Sequence, residues 1–405
     1  MIGPQASGKS VLSKLIYFFY EIIDSRSNSV EDNQNISNFV ARISDDFKKW
    51  FPPSAWGDKK FHITFQAGPF TARISRRIIR KELSDEVSVI LSDHFINSYT
   101  KLFDTVQAAR KSKGPQSKQG LISRDYELFW RLRATANKEL AVEMGDEYIG
   151  SQVFVPAGRS FFTSIGKAVT AFERGGLLDP VTIQFGRLFA QLRDLGREPF
   201  LFGHNPKSEA RRQDLTTQLF GGTIQFDRDT EYVQTRDGRR VPFSYLSSGQ
   251  QELLPLWLTL SYATGEGDDS RLIYIEEPEA HLFPTAQSVL VEYLSSIVSS
   301  ENNKRRMIIT THSPYVLSKI NNLLRAGSIG SRGSRSVQSK VNRIVPRAAW
   351  LLPGSVSAYA IIDSKLTSII DSDEFVDAEY LDDVSSDISR DFNRLLEIEL
   401  TNDSR

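Results

Sequence analysis

The chain has 405 residues, enough for one large or two ordinary domains with a sizeable core. Lys+Arg and Asp+Glu both number 50, so any nucleic-acid contact has to come from local patches rather than from a global basic excess. There are no cysteines, which excludes disulfides and thiolate metal sites, and no apolar run reaches the roughly 18 residues that span a bilayer. The chain reads as soluble and cytoplasmic, with no membrane partner.

Gly3-Pro4-Gln5-Ala6-Ser7-Gly8-Lys9-Ser10 has the pattern G-x-x-x-x-G-K-S, a phosphate-binding loop. Its glycines let the backbone curl so that successive N–H groups point inward at a phosphate. Lys9 brings a mobile positive charge to the β- and γ-phosphates, and the Ser10 hydroxyl can ligate Mg²⁺. Val11, Leu12, Leu15, Ile16, Phe18, Phe19, Ile22 and Ile23 recur at helical spacing. They predict a helix whose positive dipole end faces the same anion. Such a loop hangs from a strand of about five or six residues. Only Met1 and Ile2 precede Gly3, so either the chain is truncated at its start or the sheet has lost its first strand and holds the loop less firmly; truncation is the expectation.

Residues 24–58 read as a loop, a short helix and a second loop broken at Phe51-Pro52-Pro53. Phe61–Phe65 and Phe70–Ile74 alternate apolar and polar residues around Ala67-Gly68-Pro69, a hairpin. Residues 78–148 read as helical and charged, with a loop at Lys111–Gly120. Arg76, Arg77, Arg80, Lys81, Lys101, Arg110, Lys111, Lys113, Lys118, Arg124, Arg131 and Arg133 lie in this stretch or at its edge. A basic surface for DNA, RNA or a protein, and a solvated insertion whose charges are offset by its acids, both stay open. Val153–Val155 is a strand ending in Pro156-Ala157-Gly158-Arg159. Such a loop can aim a guanidinium at phosphate or at another subunit, although an Arg after a strand is commonly a surface residue.

Residues 161–215 read as helical, and 223–243 as a hairpin turning at Arg236-Asp237-Gly238-Arg239. From there the order is helix (246–262), strand (271–275), helix (284–298, Pro284 first), strand (307–310) and a helix opened by Pro314. That alternation builds a parallel sheet covered by helices. Residues 326–345 are Ser/Gly/Arg-rich and read as a loose loop. The last forty residues are acidic and end in a helical stretch with Phe392, Leu395, Leu396 and Ile398.

Three further features complete the phosphate loop. Leu272-Ile273-Tyr274-Ile275 is a buried strand that delivers Glu276 and Glu277 at its carboxyl end, where parallel sheets bind ligands. Glu276 would support Mg²⁺ through its waters, and Glu277 would orient or deprotonate an attacking water. Thr310-Thr311-His312-Ser313 ends the next strand, and His312 there can contact a γ-phosphate. Leu246-Ser247-Ser248-Gly249-Gln250 opens an apolar helix, a second anion site at a helix N-terminus. One nucleotide does not need both sites, so the economical arrangement is a dimer in which this turn caps the partner's nucleotide. A plain N-cap is the alternative.

These residues carry a resemblance. Leu-Ser-Ser-Gly-Gln at 246–250 resembles the signature motif of ABC-type ATPases. Ile275-Glu276-Glu277-Pro278-Glu279-Ala280-His281-Leu282-Phe283-Pro284 resembles the Walker B segment of the SMC/RecF/OLD branch, with Glu276 in place of the usual Asp. Thr311-His312-Ser313 matches the switch histidine. Val155-Pro156-Ala157-Gly158-Arg159 is similar to a segment of standalone ATPases of prokaryotic anti-phage systems, the Septu and PARIS types, and of OLD nucleases. The resemblance implies an α/β P-loop NTPase: an ABC-type head with a mixed β-sheet, an antiparallel β subdomain and a helical insertion. Residues 1–77 and 150–325 would form the ATPase core, 78–149 the helical insertion and 326–405 a C-terminal segment with an acidic tail. ATP and Mg²⁺ would be bound by Gly3, Pro4, Gln5, Ala6, Ser7, Gly8, Lys9, Ser10 and Glu276. Ser248, Gly249 and Gln250 would cap the nucleotide across a homodimer or a higher even oligomer, and Glu277, His312 and Lys9 would act in catalysis. No glutamine-loop match stands out, with Gln152 the stand-in.

For the role, the resemblance implies the sensor or regulatory subunit of an anti-phage system, controlling a separate effector such as a nuclease. The alternative is a RecF/SMC-like repair ATPase that binds DNA through the basic insertion. The metal-binding acids of an OLD nuclease are not matched, since no Glu lies between His312 and Asp371-Ser372-Asp373. A transporter ATPase is excluded by the Walker B loop and the helical insertions.

Overall fold

The computed structural model describes residues 1–4, 7–111, 118–165, 178–195, 206–227, 230–264, 270–299, 304–377 and 390–395; for 118–129 and 206–210 only the backbone course is described. Gln5, Ala6, the Lys113 end of the expected loop, Leu396 and Ile398 lie outside the described residues.

The helix Lys9–Asp24 leaves the phosphate loop and lies between two sheets. It is followed by the helices Arg26–Glu31 and Ile36–Trp50; the Asn35 side chain accepts from the Asn38 N–H and caps the latter. Then come β1 (His62–Ala67), β2 (Phe70–Ile79) and β3 (Glu82–Leu91), an antiparallel meander. The hairpin over 61–74 is found, but the helical reading of 78–148 is wrong at its start, where β3 stands. Val87, Val89 and Leu91 alternate as a strand requires, Leu83 lies beyond a register shift in the pairing with β2, and the turn before them uses Arg80 and Lys81, both at positive φ (53° and 70°). Neither is a turn-marking residue type, so the sequence hides the turn. The helices Asp93–Lys111 and Lys118–Met144 follow as expected.

The central sheet begins with β4 (Ser151–Val155). After the helices Ser160–Ile165, Pro180–Leu195 and Pro206–Phe220, a second meander forms from β5 (Gly222–Phe226), β6 (Glu231–Thr235) and β7 (Arg240–Pro242). The helix Ser248–Ala263, β8 (Arg271–Glu276), the helix Pro284–Val298 and β9 (Arg305–Thr310) return to the sheet, which runs parallel in the order β4-β8-β9.

Beyond β9 stand the residues before the phosphate loop. The Met1 amine donates to Ile309 O at 2.6 Å, and the Thr311 N–H donates to Met1 O. Ile2 forms a parallel bridge with Ala360 of β10 (Tyr359–Ile362), which pairs with β11 (Lys365–Ser368). Met1 and Ile2 therefore hold a strand position between β9 and β10. Beside them a cavity of about 700 Å³ is lined by Leu12 and Ile16 from one layer and by Leu294 and Val298 from the other.

Residues 326–345 are not a loose loop. The helix Pro314–Arg332 runs through them, and Arg335–Ile344 is a second helix. A Cβ on Gly327 would lie 1.9 Å from Leu351 O, and one on Gly330 would lie 2.0 Å from the Trp350 ring. These glycines serve helix contact, which local sequence cannot distinguish from looseness. The boundary expected at 325 falls inside this helix.

Strand alternation divides the core. Phe154, Leu272 and Tyr274 pack with Tyr17 on one face, while Val153, Val155, Ile273 and Ile275 pack with Leu253, Leu254, Trp257 and Leu290 on the other. Tyr17 meets Phe154 and Tyr274 edge-on at 5.7 and 5.4 Å. The opposite side of its helix gives Phe18, Phe19, Ile22 and Ile23 to the β1–β3 core, with Phe19 stacked on Phe65 at 5.0 Å. The phosphate-loop helix is thus clamped from both sides.

Candidate functional site

Gly8 caps the helix Lys9–Asp24 with φ 96°, a conformation that costs a β-carbon residue energy. Lys9 is buried, and its ammonium curls into its own loop, donating to Gly3 O at 2.7 Å and Pro4 O at 2.8 Å, with Ser7 Oγ at 3.4 Å. Burial draws the Lys9 amine below its ordinary range, and the nearby Glu277 carboxylate opposes that shift. Ser10 and Pro4 are exposed at the mouth.

The end of β8 stands near enough to this loop for the Glu277 carboxylate to act on the Lys9 charge. Glu276 is 5% exposed; its Oε2 accepts from the Ala157 N–H at 3.3 Å, while its Oε1 is buried without a hydrogen-bond partner. A buried carboxylate oxygen without a donor fits a cation or its water shell. Glu277 has φ 43°, and its carboxylate stands 3.6 Å from His312 Nε2. Glu279 Oε1 accepts from the His312 N–H and from Thr311 Oγ1, both at 2.7 Å, which fixes the histidine loop against β8. Its Oε2 is buried and unpartnered as well. Lys9, Glu276, Glu277 and His312 therefore converge at the carboxyl ends of parallel strands.

Arg159 does not reach toward phosphate or solvent. It is fully buried. Its Nη1 donates to Pro156 O at 3.0 Å and Glu276 O at 2.6 Å, its Nη2 to Glu277 O at 3.0 Å, and its Nε to Glu252 O at 3.1 Å. Glu252, also buried, pairs with the guanidinium at 3.6 Å and accepts from the backbone N–H groups of Arg159 and Ser160. Gln152 departs from its expected role too. It sits near the amino end of β4, donates to Tyr17 O at 3.0 Å and accepts from the Tyr274 hydroxyl at 3.2 Å. The amino ends of parallel strands lie away from the site.

In the Ser/Gly turn, Ser247 is the N-cap of the helix Ser248–Ala263 and forms a capping box with Gln250. The Gln250 amide is further bound to Phe220 O at 2.9 Å, so its side chain serves the turn itself. Ser248 is exposed, and a Cβ on Gly249 would come 2.6 Å from His281 O. Only a glycine lets the turn lie against the Glu279–Leu282 backbone. Among the described residues, Ser248 and Gly249 make no hydrogen bond to the phosphate loop.

Glu279, Glu252 and the true setting of Arg159 escape sequence reasoning. Glu279 stands inside the Walker B-like segment, and its spacing from Glu276 is the one signal that could have marked it. Several cations of the basic stretch are bound on the chain: Arg76 to Ser84 O and Asp85, Lys101 to Glu139 at 3.0 Å, Arg110 to Glu31 O and Arg133 to Asn28. No helix of the described residues is long and apolar enough to cross a membrane.

Residues 200–317 match the family model described as an AAA ATPase domain. The matched stretch carries the Ser/Gly turn, Glu276, Glu277 and His312, and it does not include the Gly3–Ser10 loop. No curated protein matches the chain. The match supports a nucleotide-binding ATPase, and the mixed α/β architecture with its parallel sheet is compatible with a P-loop ATPase.

Proposed function

We propose that this chain is an ABC-type ATPase that hydrolyses ATP to ADP and phosphate. The reading rests chiefly on one observation: Lys9, Glu277 and His312 gather at the end of β8 beside the unpartnered oxygen of Glu276. The curled Lys9 ammonium is freed from Gly3 O and Pro4 O when phosphate oxygens replace those carbonyls. Glu277 orients the attacking water and takes its proton, and His312 senses the γ-phosphate. Ser10 and Glu276 would hold Mg²⁺, which neutralises phosphate charge when bound. Catalysis of this kind is mostly positioning and electrostatic stabilisation.

Glu277→Gln is expected to keep ATP binding and to lower turnover about 10²-fold or more, the usual weight of a general base. Turnover at the wild-type rate would remove Glu277 from that role. In this reading the exposed Ser248 and the adjoining Gly249 form a second anion site that one nucleotide on one chain does not need, so the ATPase is a dimer closed around ATP with these residues facing the partner's nucleotide. The regulatory role in an anti-phage system rests on resemblance alone. Copurification of a nuclease would support it, and stimulation of the ATPase by DNA would favour the repair reading.

A further inference from the structure

Arg159 is the least expected residue of the structure. A fully buried guanidinium is costly unless every donor is met. Here the planar fork meets acceptors on all sides. One nitrogen reaches Pro156 O and Glu276 O, the other reaches Glu277 O and the Glu252 carboxylate, and Nε reaches Glu252 O. A lysine has one nitrogen and cannot span these acceptors. Two of its four carbonyl acceptors belong to the acidic site residues Glu276 and Glu277, and the counter-charge, Glu252, lies in the helix that starts at Ser248.

Glu277 is where this matters. A non-glycine residue at φ 43° persists only when its surroundings over-determine it. The Glu277 N–H is held by Thr310 O at 2.9 Å, and its carbonyl accepts from Arg159 Nη2 and from the Ala280 N–H, both at 3.0 Å. Relaxation of this backbone would swing the carboxylate from its place 3.6 Å from His312.

We propose that Arg159, locked by Glu252, is a positioning residue for Glu277. It holds the backbone of the acidic pair so that the Glu277 carboxylate faces the hydrolytic site, and it ties that carboxylate to the helix of the Ser247–Gly249 turn. The proposal rests on the ATPase reading above, with Glu277 as base.

The test measures kcat, KM and ATP affinity for the wild type, Arg159→Lys and Glu252→Gln, each also combined with Glu277→Gln, with folding checked by circular dichroism. Arg159→Lys keeps the charge and removes the fork. It should lower kcat about tenfold or more while KM stays within about twofold, and it should cause no further loss once Glu277 is Gln. A merely structural role would depress both backgrounds alike. Wild-type kcat in folded Arg159→Lys, or an equal loss in both backgrounds, overturns the proposal. If Arg159→Lys does not fold, Glu252→Gln, of the same shape, decides by the same criteria. The underlying reading fails separately: Glu277→Gln with wild-type turnover ends it, whereas inactive Glu277→Gln with unaffected Arg159→Lys removes only the positioning role.

Discussion

At Gly327 a single hydrogen separates the helix Pro314–Arg332 from the Leu351 carbonyl. The added methyl of Gly327→Ala has to displace backbone, and overpacking of this kind costs about 1–3 kcal/mol. The expected result is a lower urea midpoint followed by tryptophan fluorescence, since Trp350 packs on the same helix face at Gly330. An unchanged midpoint would mean that the helix slides freely along the segment. Two buried cations of the site contrast at this scale. Lys9 has a mobile nitrogen bonded to carbonyls that a phosphate can replace, whereas Arg159 is a rigid fork whose partners are all backbone or carboxylate. The first suits an exchangeable ligand and the second a fixed frame.

The helix Ser248–Ala263 shows how an element survives a local fault. Pro255 lies inside it and cannot donate to Gln251 O. That carbonyl instead accepts from Thr163 Oγ1 at 2.8 Å, so the acceptor left free by Pro255 is satisfied from the helix Ser160–Ile165. At its amino end the Ser247–Gln250 capping box holds the first turn. Ser247→Ala should destabilise by about 1 kcal/mol, the usual value of an N-cap. Thermal unfolding monitored by circular dichroism checks this, and a midpoint equal to wild type would show that the Gln250–Phe220 bond suffices alone. β3 illustrates the opposite case, a bulged strand concealed by a charged sequence and a turn without glycine or asparagine.

For the whole molecule, the phosphate-loop helix joins the two halves, since the aromatic residues of one helix pack on both β1–β3 and β4-β8. The site is assembled from segments far apart in the chain, Lys9 against Glu276, Glu277 and His312. The Ser248 surface is left facing outward. Ser248→Arg places a long cation on it and is expected to abolish ATP-dependent dimerisation while leaving ATP binding by single subunits intact. Light scattering with and without ATP checks this, and an unchanged ATP-dependent mass would remove the sandwich arrangement.

Much of the site was legible because its chemistry is local: Gly3–Ser10, the Ile275-Glu276-Glu277 strand end and Thr311-His312-Ser313 each announce themselves by residue type and spacing. The β-α alternation of 246–314 was legible for the same reason, as apolar period and Pro or Ser at helix starts are local signals. The sequence by itself therefore determined which segments are helix or strand there and which polar groups stand at strand ends. Only the tertiary structure decided that Arg159 turns inward, that Gln152 serves the aromatic core, that Gly327 and Gly330 belong to a helix, and that Met1 and Ile2 join the sheet between β9 and β10. Each of these depends on an acceptor or a surface supplied by a segment distant in the chain, and a buried charge or a bare glycine looks the same in sequence whether or not that partner exists.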